Sequence, residues 1–526
     1  MRPKKSKKAP CVAVMGTGSD VGKSLVVTAL CRIFLQQGWV AAPFKAQNMS
    51  NNSGVTPDGL EIGRAQIVQA EAAGMAPHVD MNPILLKPSG DARSQTVVLG
   101  RAEKERSARD FYREKDRLFN VAKQALDRLR RSCDVVVMEG AGSCAEMNLM
   151  AHDIVNLPMA EYADAPVILV ADIHRGGVFA QIMGTLACLD PKHREMIKGF
   201  VINRFRGDAR LFDSGVEWIE ARSGKKVFGV WPWHDDIVIE PEDSTVIERP
   251  EISHAKVPGS PAIGVLRLPR ISNFNDFTPL SHGPDLNLFF LERAIDLDFL
   301  SALILPGSKN TRGDMQWIQS TGWADKIRDY AAKGGHILGI CGGYQMLGES
   351  IRDPLGLDGA PGQTPGLGLL PIVTELKSPK ITTLSTFSWD GIPGSGYEIH
   401  MGRTIRKKGA PLIRILSRGA TRAPAPDAPL EPDAPLKPDQ TDHMDRHQDG
   451  CVAPSGKIMG TYIHGLFDNP EIMKKWLASI GLHHVNVPEK GGLEMRNGQY
   501  DRLAKHFQRH VNINEIMTWV QSEMGR

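Results

Sequence analysis

Short, uninterrupted apolar runs alternate along the first half of the chain with longer stretches whose apolar residues recur at helical spacing: CVAVMG, SLVVTALCRIFLQQG and VAAPFKA, then DVVVMEG, APVILVAD and GFVINRF. Continuous rather than alternating runs, separated by helical patterns, predict the buried parallel strands of a doubly wound α/β sheet over residues 9–247. A polar, proline-containing stretch, ERPEISHAKVPGSP at 248–261, reads as a linker. A second series, AIGVLRLPRI, LSALILPGSKN, GGHILGICGGYQML and KIMGTYIHGLF, predicts a second doubly wound domain over 262–480. It is interrupted at about 420–450 by PDAPLEPDAPLKPD, a six-residue unit given twice, whose composition cannot bury a core and predicts an extended, mobile excursion. The ending YDRLAKHFQRHVNINEIMTWVQ has helical apolar spacing, so 481–526 is expected to be a helical extension packed on a domain.

Composition narrows the class without identifying it. With 526 residues, 41% hydrophobic and 23% charged, the chain is too long for a single small module and too ordinary for a coiled coil or a disordered protein. Lys+Arg 63 against Asp+Glu 60 leaves +3, and Arg2, Lys4, Lys5, Lys7 and Lys8 of the tail at 1–8 outnumber that excess, so nothing argues for nucleic acid. Seven cysteines without a CxxC pair suit a reducing compartment, and the expected location is cytoplasmic. The basic opening followed by CVAVMG imitates a signal peptide only briefly, and no apolar run approaches the ~18 residues of a membrane span. His443 and His447 stand four apart in the proline-rich excursion, but sharing a metal at that spacing would need a helix there.

MGTGSDVGKS at 15–24 lies between an apolar run and a helical pattern, where a phosphate-binding loop belongs. Lys23 supplies positive charge, Ser24 suits a magnesium ion, and the helix N-terminus favours anions. Thr17 stands where the usual Walker spacing has glycine. Gly16, Thr17, Gly22, Lys23 and Ser24 instead meet the GT-x(4)-GK[ST] loop, which resembles that of dethiobiotin synthetase and the cobyrinate amide synthetases, P-loop enzymes that make carboxyl or carbamate phosphates from ATP. ParA- and MinD-type ATPases carry a signature lysine where this chain has Gly18. Glu139, ending the apolar run DVVVME, is a natural magnesium ligand near the triphosphate, and EGAG resembles the magnesium-binding strand end of dethiobiotin synthetase. Asp172, followed by Arg175, Gly176 and Gly177, ends another run in the same way.

Cys341 in GICGGYQ sits on a glycine-flanked strand-to-helix turn, the setting of a nucleophile elbow whose helix N-terminus favours a thiolate and offers amides to an oxyanion. His464 in GTYIHGLF is the expected base. GxCxGxQ followed much later by GTYxHG resembles the class I glutamine amidotransferase domain, which frees ammonia through a glutamyl thioester. The resemblance assigns oxyanion and glutamine-binding positions to Gly307, Ser308 and Gly342. That family has Glu two residues after the histidine, and this chain has Leu466. Either a dyad suffices, or another carboxylate orients His464, with Asp468 and Glu471 near in sequence. His400 in GYEIHMGRT is a competing base, better read as a binding or core histidine.

PFKAQNMSNNS (43–53), EGAGSCAEMNL (139–149), DIHRGGVFA (172–180), INRFRGD (202–208) and GYEIHMGRT (396–404) together resemble the cobyric acid synthase family, over almost the whole chain apart from the basic tail and the proline repeat. The resemblance implies ATP, Mg2+ and L-glutamine, and amidation of the b, d, e and g carboxylates of adenosylcobyrinic acid a,c-diamide in cobalamin synthesis. Lys45 is placed to meet a substrate carboxylate or developing phosphate charge, with Gln47 and Asn48 as neutral hydrogen-bonding partners. Two alternatives stand beside it. The sibling cobyrinic acid a,c-diamide synthase shares both domain types but is disfavoured by FKAQNMSNNS, and a ParA-like regulatory ATPase with an inactive glutaminase module is opposed by Cys341, His464 and Gly18, while Leu466 speaks for it.

Overall fold

The computed structural model describes residues 8–90, 93–234, 236–242, 259–283, 285–419 and 447–524. Most of the basic tail, most of the linker, the proline-rich repeat and His443 lie outside them. The described chain forms two compact units. One holds residues up to Ser50, Ile62–Glu242 and the residues from Leu493; the other holds Asn51–Glu61 and the remainder to Gly492.

In the first unit, β1 (Cys11–Gly16), β2 (Ala41–Phe44), β3 (Val135–Glu139), β4 (Val167–Asp172), β5 (Ile197–Phe205) and β6 (Lys226–Pro232) form a parallel sheet in the order β6-β5-β4-β1-β3-β2. Every residue of β1, β3 and β4 is buried, which is why these strands read as unbroken apolar runs. The strand order reverses beside β1, so the carboxyl ends of β1 and β3 open at the switch point where such sheets bind ligands. The C-terminal helices Gly492–His510 and Ile513–Met524 bury Tyr500, Leu503, Phe507 and Val520 in this unit's core, where Phe507 meets Trp231 edge to face at 4.7 Å.

The second unit is also α/β. β7 (Ala262–Leu266), β8 (Asn287–Leu291), β9 (Ala302–Leu305) and β10 (Ile337–Ile340) lie parallel in one sheet. A long antiparallel hairpin of β11 (Ile372–Trp389) and β12 (Ile392–Arg406) belongs to a separate, mixed sheet, in which Ser350–Asp353 runs parallel to β11, that the apolar-run pattern does not foreshadow. β13 (Cys451–Val452) and β14 (Ile458–Thr461) complete the first sheet, in the order β8-β7-β9-β10-β14-β13 with only β13 antiparallel.

The chain divides differently from the sequence boundaries at two places. Residues 481–492 stay with the second unit, and Asn51–Glu61, inside the stretch expected to be wholly nucleotide-binding, also belongs there. Polar anchoring explains the latter: Lys380 pairs with buried Glu61 at 2.7 Å and the Asn273 side chain accepts the Ser53 N–H at 3.1 Å. No helix among the described residues is long and apolar enough to cross a membrane.

Candidate active sites

The loop after β1 is shaped by one glycine above all. Gly22 has φ +99, and a Cβ there would lie 2.1 Å from Asn203 Nδ2. Asn203, from β5, donates to the Val21 carbonyl at 2.8 Å and so braces the loop from beneath. Helix Lys23–Gln36 begins directly afterwards. Lys23 folds back over the loop, its Nζ donating to the carbonyls of Gly18 (3.0 Å) and Gly142 (2.8 Å). Burial, followed by the neighbouring Lys45 charge, pushes its pKa down. Thr17 Oγ1 donates to Gln181 at 3.3 Å.

Ser24, Lys45 and Glu139 converge, and two further residues join them. Ser24 Oγ lies within hydrogen-bond reach of both Glu139 Oε1 (2.8 Å) and Glu242 Oε2 (3.2 Å), with one proton to donate, while Lys45 Nζ bridges Glu139 (2.9 Å) and Glu242. Gln69 Nε2 holds the other Glu139 oxygen. Burial opposes a charge on Lys45, but Glu139 and Glu242 outweigh it and hold the ammonium well above the ordinary lysine range. Two carboxylates, a hydroxyl and the buried Gln69 Oε1, which has no partner among the described residues, make a set of hard oxygen donors. Such a set fits Mg2+, which takes one or two carboxylates and completes its shell with water and substrate phosphates.

Asn48 is buried and donates to Gln66 Oε1 at 3.2 Å, so its side chain faces into the fold; Gln47 is half-buried in the short strand Gln47–Met49. Asp172 is engaged by the Arg204 guanidinium at 2.8 Å and the His174 N–H at 2.7 Å.

In the second unit Cys341 follows β10 with φ +51 and ψ −107, a positive-φ conformation costly for a side-chain-bearing residue and suited to a nucleophile elbow. The motif glycines let the turn close: a Cβ on Gly343 would lie 1.9 Å from the Leu305 carbonyl. The Cys341 thiol points at the Ile399 carbonyl, 3.6 Å away. Gly307 and Ser308 follow β9 alongside. A Cβ on Gly342 would be 2.8 Å from the Ser308 amide nitrogen, and one on Gly307 3.3 Å from His464 Cε1. Cys341, Gly342, Gly307, Ser308 and His464 therefore meet at one place, with the Ser308 hydroxyl turned away to Asp314 at 2.6 Å.

The carboxylate sought after His464 comes from elsewhere. His464 Nδ1 lies 2.6 Å from Asp276 Oδ2, and Asp276 Oδ1 accepts the Gly465 N–H at 3.0 Å; neither side chain is more than 3% exposed. Burial disfavours charge on the imidazole, but Asp276, then Cys341, overcome it, and the His464 pKa is pushed up to about 10. This corrects the two local alternatives. Glu471 is exposed and paired with Lys474, and Asp276 rather than Asp468 holds Nδ1. Leu466 is fully buried, its position given to core packing. The sequence does not mark Asp276, because PRISNFNDFTPL looks like a turn; the one hint is an acid set among aromatic residues in FNDF. His400 is buried, its Nδ1 donating to the Gly402 carbonyl at 2.9 Å and its ring stacked 3.7 Å from that of Tyr462, with its pKa lowered by burial.

Comparison with known proteins also divides the chain in two, though the first match runs through Asn51–Glu61. Residues 12–246 match the CobQ/CobB/MinD/ParA nucleotide binding domain, and 262–472 match the CobB/CobQ-like glutamine amidotransferase domain. The cobyric acid synthase of Chlorobaculum tepidum is 46% identical, covering 96% of this chain and 97% of its own. That of Chloroflexus aurantiacus is 44% identical, covering 95% and 96%. A solved glutamine amidotransferase aligns with 42% of this chain and 98% of its own at 17% identity and a TM-score of 0.30. The chain belongs to the cobyric acid synthase family of glutamine-dependent ligases.

Proposed function

We propose that the protein converts the b, d, e and g carboxylates of adenosylcobyrinic acid a,c-diamide to amides, at the expense of ATP and with ammonia taken from glutamine. The observation that carries the reading is the Cys341–His464–Asp276 arrangement on a positive-φ strand-to-helix turn, in a chain that also carries a phosphate loop. Asp276 fixes Nδ1 of His464 and leaves Nε2 for the sulfur. Cys341 attacks the glutamine carboxamide carbon, the C–N bond breaks, and His464 gives its proton to the departing ammonia. Water then cleaves the thioester to glutamate. The amides of Ser308 and Gly342 are the groups placed to meet the oxyanion.

A carboxylate resists attack by ammonia until one oxygen is made a good leaving group, which phosphorylation supplies. Lys23 and the amides around Gly16, Thr17 and Gly22 bind the phosphates of ATP. Ser24 and Glu139, joined by Glu242, would hold Mg2+, which offsets phosphate charge when bound. Lys45, released from one of its two carboxylates, meets the substrate carboxylate; Gln47 borders the same place, and Asn48 shapes it through Gln66. Ammonia displaces phosphate from the acyl phosphate and the amide forms.

The purified protein with ATP, magnesium, glutamine and each corrinoid in turn tests this by mass. Four one-unit decreases on the a,c-diamide, one for each OH replaced by NH2, and no change on cobyrinic acid, are expected. Amidation of cobyrinic acid instead assigns the sibling activity, and ATP turnover without any amidation refutes both.

A further inference from the structure

Asn273 stands where three parts of the second unit meet. Its Oδ1 accepts the Ser53 N–H at 3.1 Å, its Nδ2 donates to the Tyr397 hydroxyl at 3.3 Å, and its carbonyl accepts the Asp276 N–H at 3.1 Å. It is buried, with φ +52, a left-handed backbone that asparagine tolerates better than most residues. From it springs the turn Phe274–Phe277 that delivers Asp276 to His464. Tyr397 holds the imidazole from its face: the rings stack at 5.2 Å with planes 16° apart, and the two residues exchange backbone hydrogen bonds at 2.8 and 3.1 Å. The carboxylate at Nδ1 and the aromatic wall thus trace to one residue, the first through its backbone carbonyl and the second through its side chain.

Ser53 in turn belongs to Asn51–Glu61. Its hydroxyl donates to Glu61 Oε1 at 2.8 Å, and Lys380 holds the second Glu61 oxygen at 2.7 Å. This segment runs on without a break from Lys45–Ser50, which lies in the first unit.

We propose that Asn273 is a positioning residue of the glutaminase and that Asn51–Glu61 sets it, so that a segment continuous with the Lys45 region governs the aim of the His464 base. The inference rests on the glutaminase role assigned above to Cys341 and His464. An imidazole must present Nε2 to the sulfur within a narrow angular range, and loosening either of its two supports lowers turnover without touching glutamine itself.

The test uses full-length protein and the variants Asn273→Ala, Tyr397→Phe and Glu61→Gln, measuring glutamate release against glutamine concentration and pH, with thermal midpoint and ammonium-driven amidation in parallel. In Asn273→Ala and Tyr397→Phe, kcat should fall about fivefold or more, the loss of roughly one hydrogen bond, with KM for glutamine nearly unchanged. The basic limb of the pH profile should move down in Asn273→Ala, because Asp276 holds His464 less firmly. Tyr397→Phe keeps the stacked ring and loses only the hydroxyl, so it carries the test if Asn273→Ala does not fold. Glu61→Gln should lower kcat in the same direction. Wild-type kcat and pH profile in Asn273→Ala, or wild-type kcat in Tyr397→Phe should the former not fold, overturn the positioning role, and an unaltered Glu61→Gln overturns the segment's part. A wild-type protein that releases no glutamate overturns the glutaminase reading itself, a separate result.

Discussion

Asp276 Oδ2 lies 2.6 Å from Nδ1 of His464 although 188 positions separate the two residues. The carboxylate fixes which imidazole nitrogen faces Cys341 and stabilises the protonated ring. It does from the turn after β7 what the amidotransferase pattern does from two residues beyond the histidine.

Asp276→Asn should therefore lower glutamine-dependent glutamate release by on the order of 100-fold or more, because the amide neither stabilises the imidazolium nor enforces its tautomer. Ammonium-driven amidation should survive. Equal loss of both activities would make Asp276 a residue of the fold alone.

The pair also has a pH signature in stability. The His464 pKa in the fold, about 10, lies above its ordinary 6.5. The charged pair therefore stabilises the fold fully below about 6.5, and this contribution drains away as pH rises from there through about 10. The thermal midpoint of the wild type should exceed that of Asp276→Asn most at pH 6, with the gap closing toward pH 10. A gap that widens with pH contradicts the assignment.

Cys341→Ala should abolish glutamine-dependent amidation and leave the ammonium-driven reaction intact, read by amide formation with each nitrogen source. Loss of both would assign the cysteine to structure.

Gly22→Ala and Lys23→Ala should act on the other site. A methyl at Gly22 meets Asn203 Nδ2 at 2.1 Å on a backbone of φ +99, so the loop must shift. ATP-dependent amidation should fall more than about tenfold with either nitrogen source in both variants, a loss of transition-state stabilisation measured by kcat/KM. Survival of ammonium-driven activity in Lys23→Ala would refute its phosphate role.

Glu242→Gln should raise the magnesium concentration needed for half-maximal activity by about tenfold, as expected when one of two carboxylates near a hard cation is neutralised. Titration with magnesium at fixed ATP measures this, and an unchanged midpoint would confine Glu242 to pairing with Lys45.

Where function depends on local geometry, it is written locally. The glycine-rich turn before Lys23 and the turn bearing Cys341 each need small residues at fixed offsets, and both sheets announce themselves because strands buried on two faces have no polar side. Asp276, Glu242 and Gln69 escape notice for the opposite reason. Each reaches its site through tertiary folding from a polar segment or an unremarkable helix, and an acid in a loop carries no sign of whether it will be buried. The hairpin of β11 and β12 is equally hidden, since its buried positions are interspersed with exposed and half-buried ones and give no long unbroken apolar run.

The chain passes between its two units at Ser50–Asn51, at Glu61–Ile62, after Glu242 and at Gly492–Leu493. A gene split at the linker would strand pieces on the wrong side. The leading product would lack Tyr500, Leu503 and Phe507 against Trp231, and the trailing one would lack Ser53 and Glu61. Fission into exchangeable subunits is thus closed to this architecture by simple cutting. Ammonia producer and ammonia consumer are consequently made in a one-to-one ratio, set at translation rather than by assembly.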